Sequence, residues 1–517
     1  MCKAQVYHYI REMIIMDLGL RKTKKNKRVN VNTSKFQEGF IEKRKAEITL
    51  TSDDEESLRS LTKSEKSNEK NRDNVFENKS INQLIIYFSI PAILSLVLES
   101  LSTMIDTAFA GHLGQISGDA LSAMGILGPI LSLLVAAQLI FGVSTGIIIA
   151  KRIGENNEEK INNTFKIGVY SSLIFSSIIS LAIFITQNQL LYIIGATGNV
   201  RILAKQYLNI AILFNIFSSV GYTLVNNIRA FGYPKIEIVI VILSTIINII
   251  LNILFTFVFN MGIIGIGLAT LVGEISYVVF AIIFLIKKDL WMKKTNLCSK
   301  EVKSILILLI KIGFVQFLMQ SLNSLNGFTV NKVLINYGEA LYIGAWTICN
   351  SVYMMLLLPL IGFTEGIQSV IAYYQGSHNE EKKKIIKSKT MKYSLAYALI
   401  TTCIVCILSK DIIQIFTFDS NITHLAINIT RIMLIGFPCM GIIYTLVTFM
   451  QVSGQEENAS KLELVRQVFL FTPLCIILPI LISKFNITNI EPGLGVFFAM
   501  PISNIISLFF YVIPRGR

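Results

Sequence analysis

The sequence predicts an all-α, polytopic membrane protein with twelve transmembrane helices in two six-helix lobes behind a polar N-terminal tail. Three observations lead there. The 517-residue chain is 53% hydrophobic and only 15% charged, with mean hydropathy +0.60, whereas soluble domains carry about 25% charged residues. From Ile81 onward, apolar runs alternate with short polar links, and each run reaches the roughly 20 residues needed to cross a bilayer. Finally, the link GENNEEK at Gly154 returns as GSHNEEK at Gly376, an offset of 222 residues.

Residues 1–80 are rich in Lys, Glu, Asn and Ser, with RKTKKNKR at 21–28. Such a composition buries too little apolar surface to offset its ordering entropy, so a mostly disordered cytoplasmic tail is expected. The basic run reads first as part of a solvated tail, with contact to anionic membrane lipid as the alternative. MIIMDLGL near the start is interrupted by Asp17 and followed by no cleavage-like site, which makes it a poor secretory signal. The seven cysteines are an odd number, mostly in apolar runs, so a disulfide framework is not expected. Cys403 and Cys406 form a CxxC, but no second Cys or His pair lies at metal-ligand spacing, and they read as buried small residues.

The first six spans fall near 83–109, 120–149, 163–187, 201–226, 236–259 and 263–286. The second six fall near 304–330, 341–371, 390–409, 424–450, 460–483 and 493–513. Domain limits follow: tail 1–80, first lobe 81–290, cytoplasmic linker 291–302, second lobe 303–517. Alternate links are unequal in charge. One set holds only Arg201, Lys205, Lys332, Lys410 and Lys484, while the other holds the clusters LIKKDLWMKK at 285–294 and EEKKKIIKSK at 380–389. Cytoplasmic links are the Lys/Arg-rich ones, so both termini are expected inside, with the plasma membrane as host. This placement accounts for the formal net charge of +14 without nucleic acid.

The offset of 222 also superposes LLYIIGATGNV at 190–200 on IIQIFTFDSNI at 412–422, and Phe231-Gly232 on Ser453-Gly454. GIGL at 265–268 meets GLGV at 493–496 at an offset of 228. Several links agreeing on one register argue for a duplicated six-helix unit. An even number of spans gives both copies one orientation, and two such lobes suit alternating access. No Walker-type GxxxxGK[ST] motif is present, so a secondary transporter rather than an enzyme or a nucleotide-driven pump is expected.

Carboxylates inside a membrane are costly and normally face a bundle interior or wet cavity. Four stand out: Glu99 and Asp106 in the first span, Glu274 in the sixth and Glu365 in the eighth. Glu99 and Asp106 are two turns apart on one face. Asn248 and Asn252 share a face of the fifth span, as Thr270 and Glu274 do on the sixth. At 1.5 Å per residue, Glu274 lies about 6 Å closer to the cytoplasm than Thr270, and Glu99 about 10 Å closer than Asp106. Together they offer oxygen ligands for a hard cation or a proton relay. In the second lobe Gln320 and Asn323 belong to a polar stripe on the seventh span; Asn350, on the eighth, and Glu365 complete the substrate-cavity candidates.

These residues resemble the multidrug and toxic compound extrusion (MATE) family over about 80–513. The resemblance rests on DTAFAGHLG at 106–114, NNIRAFGYPK at 226–235, INIILNILFTFVFNMGIIGIGLAT at 247–270 and PLIGFTEGIQSVIAYYQG at 359–376. FLMQS at 317–321, without a carboxylate, is closer in pattern to the DinF and MepA branches than to the NorM branch. The resemblance implies a cation-coupled antiporter that exports organic cations. Asp106 matches the first-helix aspartate assigned to coupling, with Asn248, Asn252 and Thr270 at the other three site positions, where a Na⁺ ion is implied. Relatives usually carry aspartate where this chain has Asn252, and often glutamine where it has Glu99 or near Glu274. That relocation of charge favours H⁺ over Na⁺.

Rival readings are a lipid-linked oligosaccharide or lipid flippase of the same superfamily, an organic acid exporter, a membrane transferase and a channel. The flippase commonly has fourteen spans and a cationic cavity; a transferase would need clustered His or Asp, and the four histidines are scattered. The expected partners are H⁺ or Na⁺, a small organic cation and membrane lipid, with no nucleic acid, no cofactor, no tightly bound metal and a monomeric chain.

Overall fold

The computed structural model describes residues 75–293, 298–417, 419–485 and 491–512, without the side chains of 337–340 and 511–512. The expectations for residues 1–74, including the disorder of the tail and lipid contact by its basic run, lie outside the described residues. All regular structure among the described residues is helical.

The first lobe comprises α1 (Ile81–Ala110), α2 (Ser117–Gly154), α3 (Glu158–Ile193), α4 (Gly198–Ala230), α5 (Pro234–Ile253) and α6 (Gly262–Lys287). The second comprises α7 (Ser299–Asn336), α8 (Leu341–Gly376), α9 (Glu380–Ile407), α10, α11 (Glu456–Lys484) and α12 (Gly495–Val512). Helical hydrogen bonding runs unbroken from Ser299 to Gly376 over 78 residues. At 1.5 Å per residue that is several times a bilayer core, so it serves as two spans. α10 is broken: Ser420–Ile435 and Phe437–Val452 meet at Gly436 with a 43° bend. Among the described residues eleven helices are long and apolar enough to cross a membrane, and the bent pair makes the twelfth.

Local sequence sets the helix starts. Ser80 and Gln83 form a reciprocal capping box at α1. The duplicated link repeats its geometry as well as its letters. Asn157 and Asn379 each accept a hydrogen bond at 3.0 Å from a lysine backbone N–H three residues on, capping α3 and α9. Asn156 and His378 just before them are both left-handed, at φ 53° and 55°. Gly232 and Gly454, also 222 apart, turn the chain at φ 93° and 79°, a region open to glycine at little cost.

Packing differs between the two sides of the bundle. On the side of the Lys/Arg-rich links one core joins both lobes, with Phe88, Ile148 and Tyr222 of the first against Leu309, Ile371 and Tyr374 of the second. Beyond that junction each lobe keeps its own core, around Leu127, Leu208 and Ile266 in the first and Leu334, Trp346 and Phe497 in the second. The junction is tight because α8 presents Gly362 and Gly366 to α1. A Cβ at Gly366 would meet Phe88 O at 2.5 Å, and one at Gly362 would meet Ile93 Cα at 2.6 Å. Small residues four apart permit such backbone contact. Ser89 Oγ then donates to Phe363 O across the seam at 3.3 Å.

One boundary differs from the sequence reading. Residues 75–80, assigned to the polar tail, pack onto the bundle: Phe76 is 0% exposed inside the shared core.

Candidate functional site

Asp106 lies on α1 and is 5% exposed. Asn248 and Asn252 come from α5, one turn apart, and Thr270 from α6. The Asn252 amide donates to Asp106 Oδ1 at 2.6 Å and to Asn248 Oδ1 at 3.2 Å. Thr270 Oγ1 lies 3.0 Å from Asp106 Oδ2 and accepts from the Asn248 amide at 3.4 Å. Ser102 Oγ, one turn before Asp106, donates to Asn248 Oδ1 at 3.2 Å. Thr270 Oγ1 is also 3.1 Å from Ile266 O, so its single proton can serve either the helix or the carboxylate. The four residues that the family resemblance singles out thus form one hydrogen-bonded cluster inside the first lobe.

The cluster sits where α5 departs from α-helical form. A π-helical segment, Leu254–Val258, begins two residues after Asn252, a distortion frequent at functional sites. Asn252 Oδ1 and Thr256 Oγ1, one turn apart on this stretch, are buried without a hydrogen-bond partner among the described residues. The cluster holds one carboxylate, two amides and a hydroxyl. Both Asp106 oxygens already face donors, and the formal charge is a single negative one.

Glu99 and Glu274 do not join this cluster. Both are half-buried. The charges that bear on Glu99 include Glu274 and Glu365. Glu274 lies beside Ser218 of α4, whose hydroxyl contacts Gln138 Oε1 at 3.2 Å. In the second lobe Gln320, Asn323 and Asn350 are half-buried on α7 and α8, with Asn323 near Tyr444.

Glu365 departs from its expected place as a cavity candidate. It is 5% exposed and lies in the junction between lobes. Tyr222 Oη donates to its carboxylate at 3.4 Å, and Arg229 donates to its backbone carbonyl at 3.2 Å. The physical reason is the flanking glycine pair, which lets this turn of α8 approach α1 closely, together with the Tyr222 and Arg229 donors of α4 that meet Glu365 there.

Sequence reasoning missed two buried ion pairs. Arg229, at the end of α4, grips Glu237 of α5 through two bonds of 2.5 and 2.7 Å. On α11, Arg466 and Gln467 both donate to Glu463 Oε2, at 2.6 and 2.7 Å. Asn326 of α7 donates to Gln467, and Arg466 also reaches Asn504 of α12. The signals were present. Arg229 stands inside NNIRAFGYPK, and Glu463 and Arg466 are three apart on one helix face. No metal-binding group of His, Cys, Asp and Glu occurs among the described residues.

Comparison with known proteins gives a consistent picture. The MatE family model matches residues 91–254 and 316–477, one segment in each lobe. The multidrug export protein MepA of Staphylococcus saprophyticus is 25% identical over 420 residues, covering 80% of this chain and 90% of that protein. MepA of Staphylococcus haemolyticus is 26% identical over 415 residues, with the same coverage. Among solved structures, a mutant form of the MATE transporter VcmN of Vibrio cholerae has a TM-score of 0.77 at 18% identity, covering 84% of this chain and 96% of that one. A MOP superfamily transporter of Pyrococcus furiosus has a TM-score of 0.76 at 19% identity, covering 85% and 97%. These structural likenesses concern the fold.

Proposed function

The chain belongs to the MatE family, and from that premise we propose that it is a proton-coupled antiporter exporting organic cations from the cell by alternating access of its two lobes. One observation carries this reading: Asp106 is held by Asn252 and Thr270 inside the first lobe, while the lobes share a core on one side only. The charge asymmetry of the links supports cytoplasmic termini and a plasma-membrane setting, so the closed side is cytoplasmic and the parted side outer. The coupling cluster is complete within one chain, which supports a monomer.

A proton reaching Asp106 from outside removes the cost of a charge between helices. The Asn252 and Thr270 donors then lose the anionic partner that orients them. An ion or cargo molecule that binds the two lobe arrangements unequally shifts their populations by that difference. Glu99 and Glu274, half-buried and outside the Asp106 cluster, are the acids available to an organic cation. Proton coupling is supported over Na⁺ by the charge count. With Asn252 neutral, one proton cancels the whole charge of the cluster, whereas a sodium ion would have to displace the amide donor from Asp106. MepA relatives are multidrug export proteins by name, which supports a small organic cargo.

The test is transport of a fluorescent organic cation in proteoliposomes, driven separately by a pH gradient and by a Na⁺ gradient. The pH gradient alone should drive transport. A response to Na⁺ alone would replace the proton as coupling ion, and no response to either gradient with any cationic dye would overturn the export reading in favour of a flippase.

A further inference from the structure

The segment just before α1 carries an aromatic wedge. Phe76, covalently part of the first lobe through four residues leading to Ile81, lies with its ring stacked on Tyr373 of α8 at 4.3 Å and 8° between planes. Its other neighbour is Phe88 of α1, at 5.2 Å. Tyr374 Oη donates to Phe76 O at 2.7 Å, and Tyr373 Oη reaches Glu77 Oε1 at 3.4 Å. Val75 rests on Gly232 in the turn between α4 and α5. Lys79 Nζ sits 4.9 Å from the Tyr87 ring centre. The segment therefore touches α1 and the α4–α5 turn in one lobe and the end of α8 in the other, at the level where the two share a core.

We propose that residues Val75–Lys79 form a strap that holds the Lys/Arg-rich side of the transporter closed, with Phe76 as its wedge and Tyr373 and Tyr374 as its dock. The proposal rests on the alternating access of the reading above. When that side opens, α8 must part from α1, and Phe76 cannot keep both ring partners. A buried aromatic ring is a large apolar contact, and the Tyr374 hydrogen bond adds a directional tie to backbone. The strap thus weights the balance toward the arrangement seen here and is released in the opposite one.

Two spin labels, replacing exposed Glu159 and Lys384 on the two lobes, read the opening directly on the full-length protein in lipid nanodiscs, on a background with the native cysteines replaced. Phe76→Ala should raise the ratio of open to closed distances on this side at least about tenfold, the order expected when a buried aromatic loses its contacts in one of two states. Tyr374→Phe, which keeps the ring and removes the bond to Phe76 O, should raise it about threefold. Phe76→Leu, as a milder packing change, covers the case in which the alanine variant fails to fold, and should fall between. Distances in all three variants equal to those of the parent, with an open population present in the parent, would overturn the strap. A parent with no open population under any pH or cargo condition would instead overturn alternating access itself.

Discussion

Asp106 is tolerated among apolar helices because two donors face its oxygens and its cluster mates face one another. Removing one donor exposes how much each matters. Thr270→Val keeps the shape of the side chain but deletes the hydroxyl proton, and should lower proton-driven transport roughly tenfold, in line with about 1–3 kcal/mol for a buried group left unpaired. Asn252→Asp puts a second carboxylate beside the first and should create a Na⁺ response absent from the parent, visible as dye transport under a Na⁺ gradient. Arg229→Met leaves Glu237 charged, buried and alone, so thermal unfolding should show a loss of about 3–5 kcal/mol; Arg229→Met with Glu237→Leu should recover most of it. Spacing of four put Asn248 and Asn252 on one face, but it equally paired Thr270 with Glu274; the grouping of Asp106 with Asn248, Asn252 and Thr270 was legible through the family resemblance of the motifs that carry them. Glu365 was not, since its depth depends on how one lobe sits against the other, and no local spacing encodes that.

Helices and links show a similar division. The two links 222 residues apart share a capping asparagine and a left-handed residue just before it, so duplication at the level of letters carries over into backbone geometry. Asn157→Ala and Asn379→Ala should each lower stability by about 1 kcal/mol, and near-additively because they lie in different lobes; differential calorimetry of the single and double variants checks this. The sequence shows α10 as one continuous span and hides its bend at Gly436, since hydropathy averages over the single residue at which direction changes. Phe76 was invisible for the same reason. One aromatic within a polar window does not move the mean, yet its ring is fully buried once α8 supplies Tyr373. Hydropathy reports what enters the membrane, whereas a wedge is defined by the partner it meets.

At the level of the entire protein, the chain behaves as two copies of one unit whose cores merge on one side and remain separate beyond it. The number of spans, the duplication and the family follow from composition, repeat and motif, all of which are local or periodic properties. Which side is closed is set by small residues and buried polar groups meeting across the seam, and only three-dimensional packing brings them together. That packing places the Asp106 cluster wholly within one lobe; under the antiport proposed above, cargo and proton would influence each other through the populations of the lobe arrangements each favours. Linkage requires the influence to be mutual: if a proton on Asp106 opposes cargo, cargo must expel that proton. The direct measurement is proton release from purified protein in weakly buffered detergent solution on addition of a cationic cargo, comparing the parent with Asp106→Asn. Release by the parent and none by the variant is the predicted result. Equal release from both, or none from the parent despite measurable cargo binding, would contradict a proton carried by Asp106.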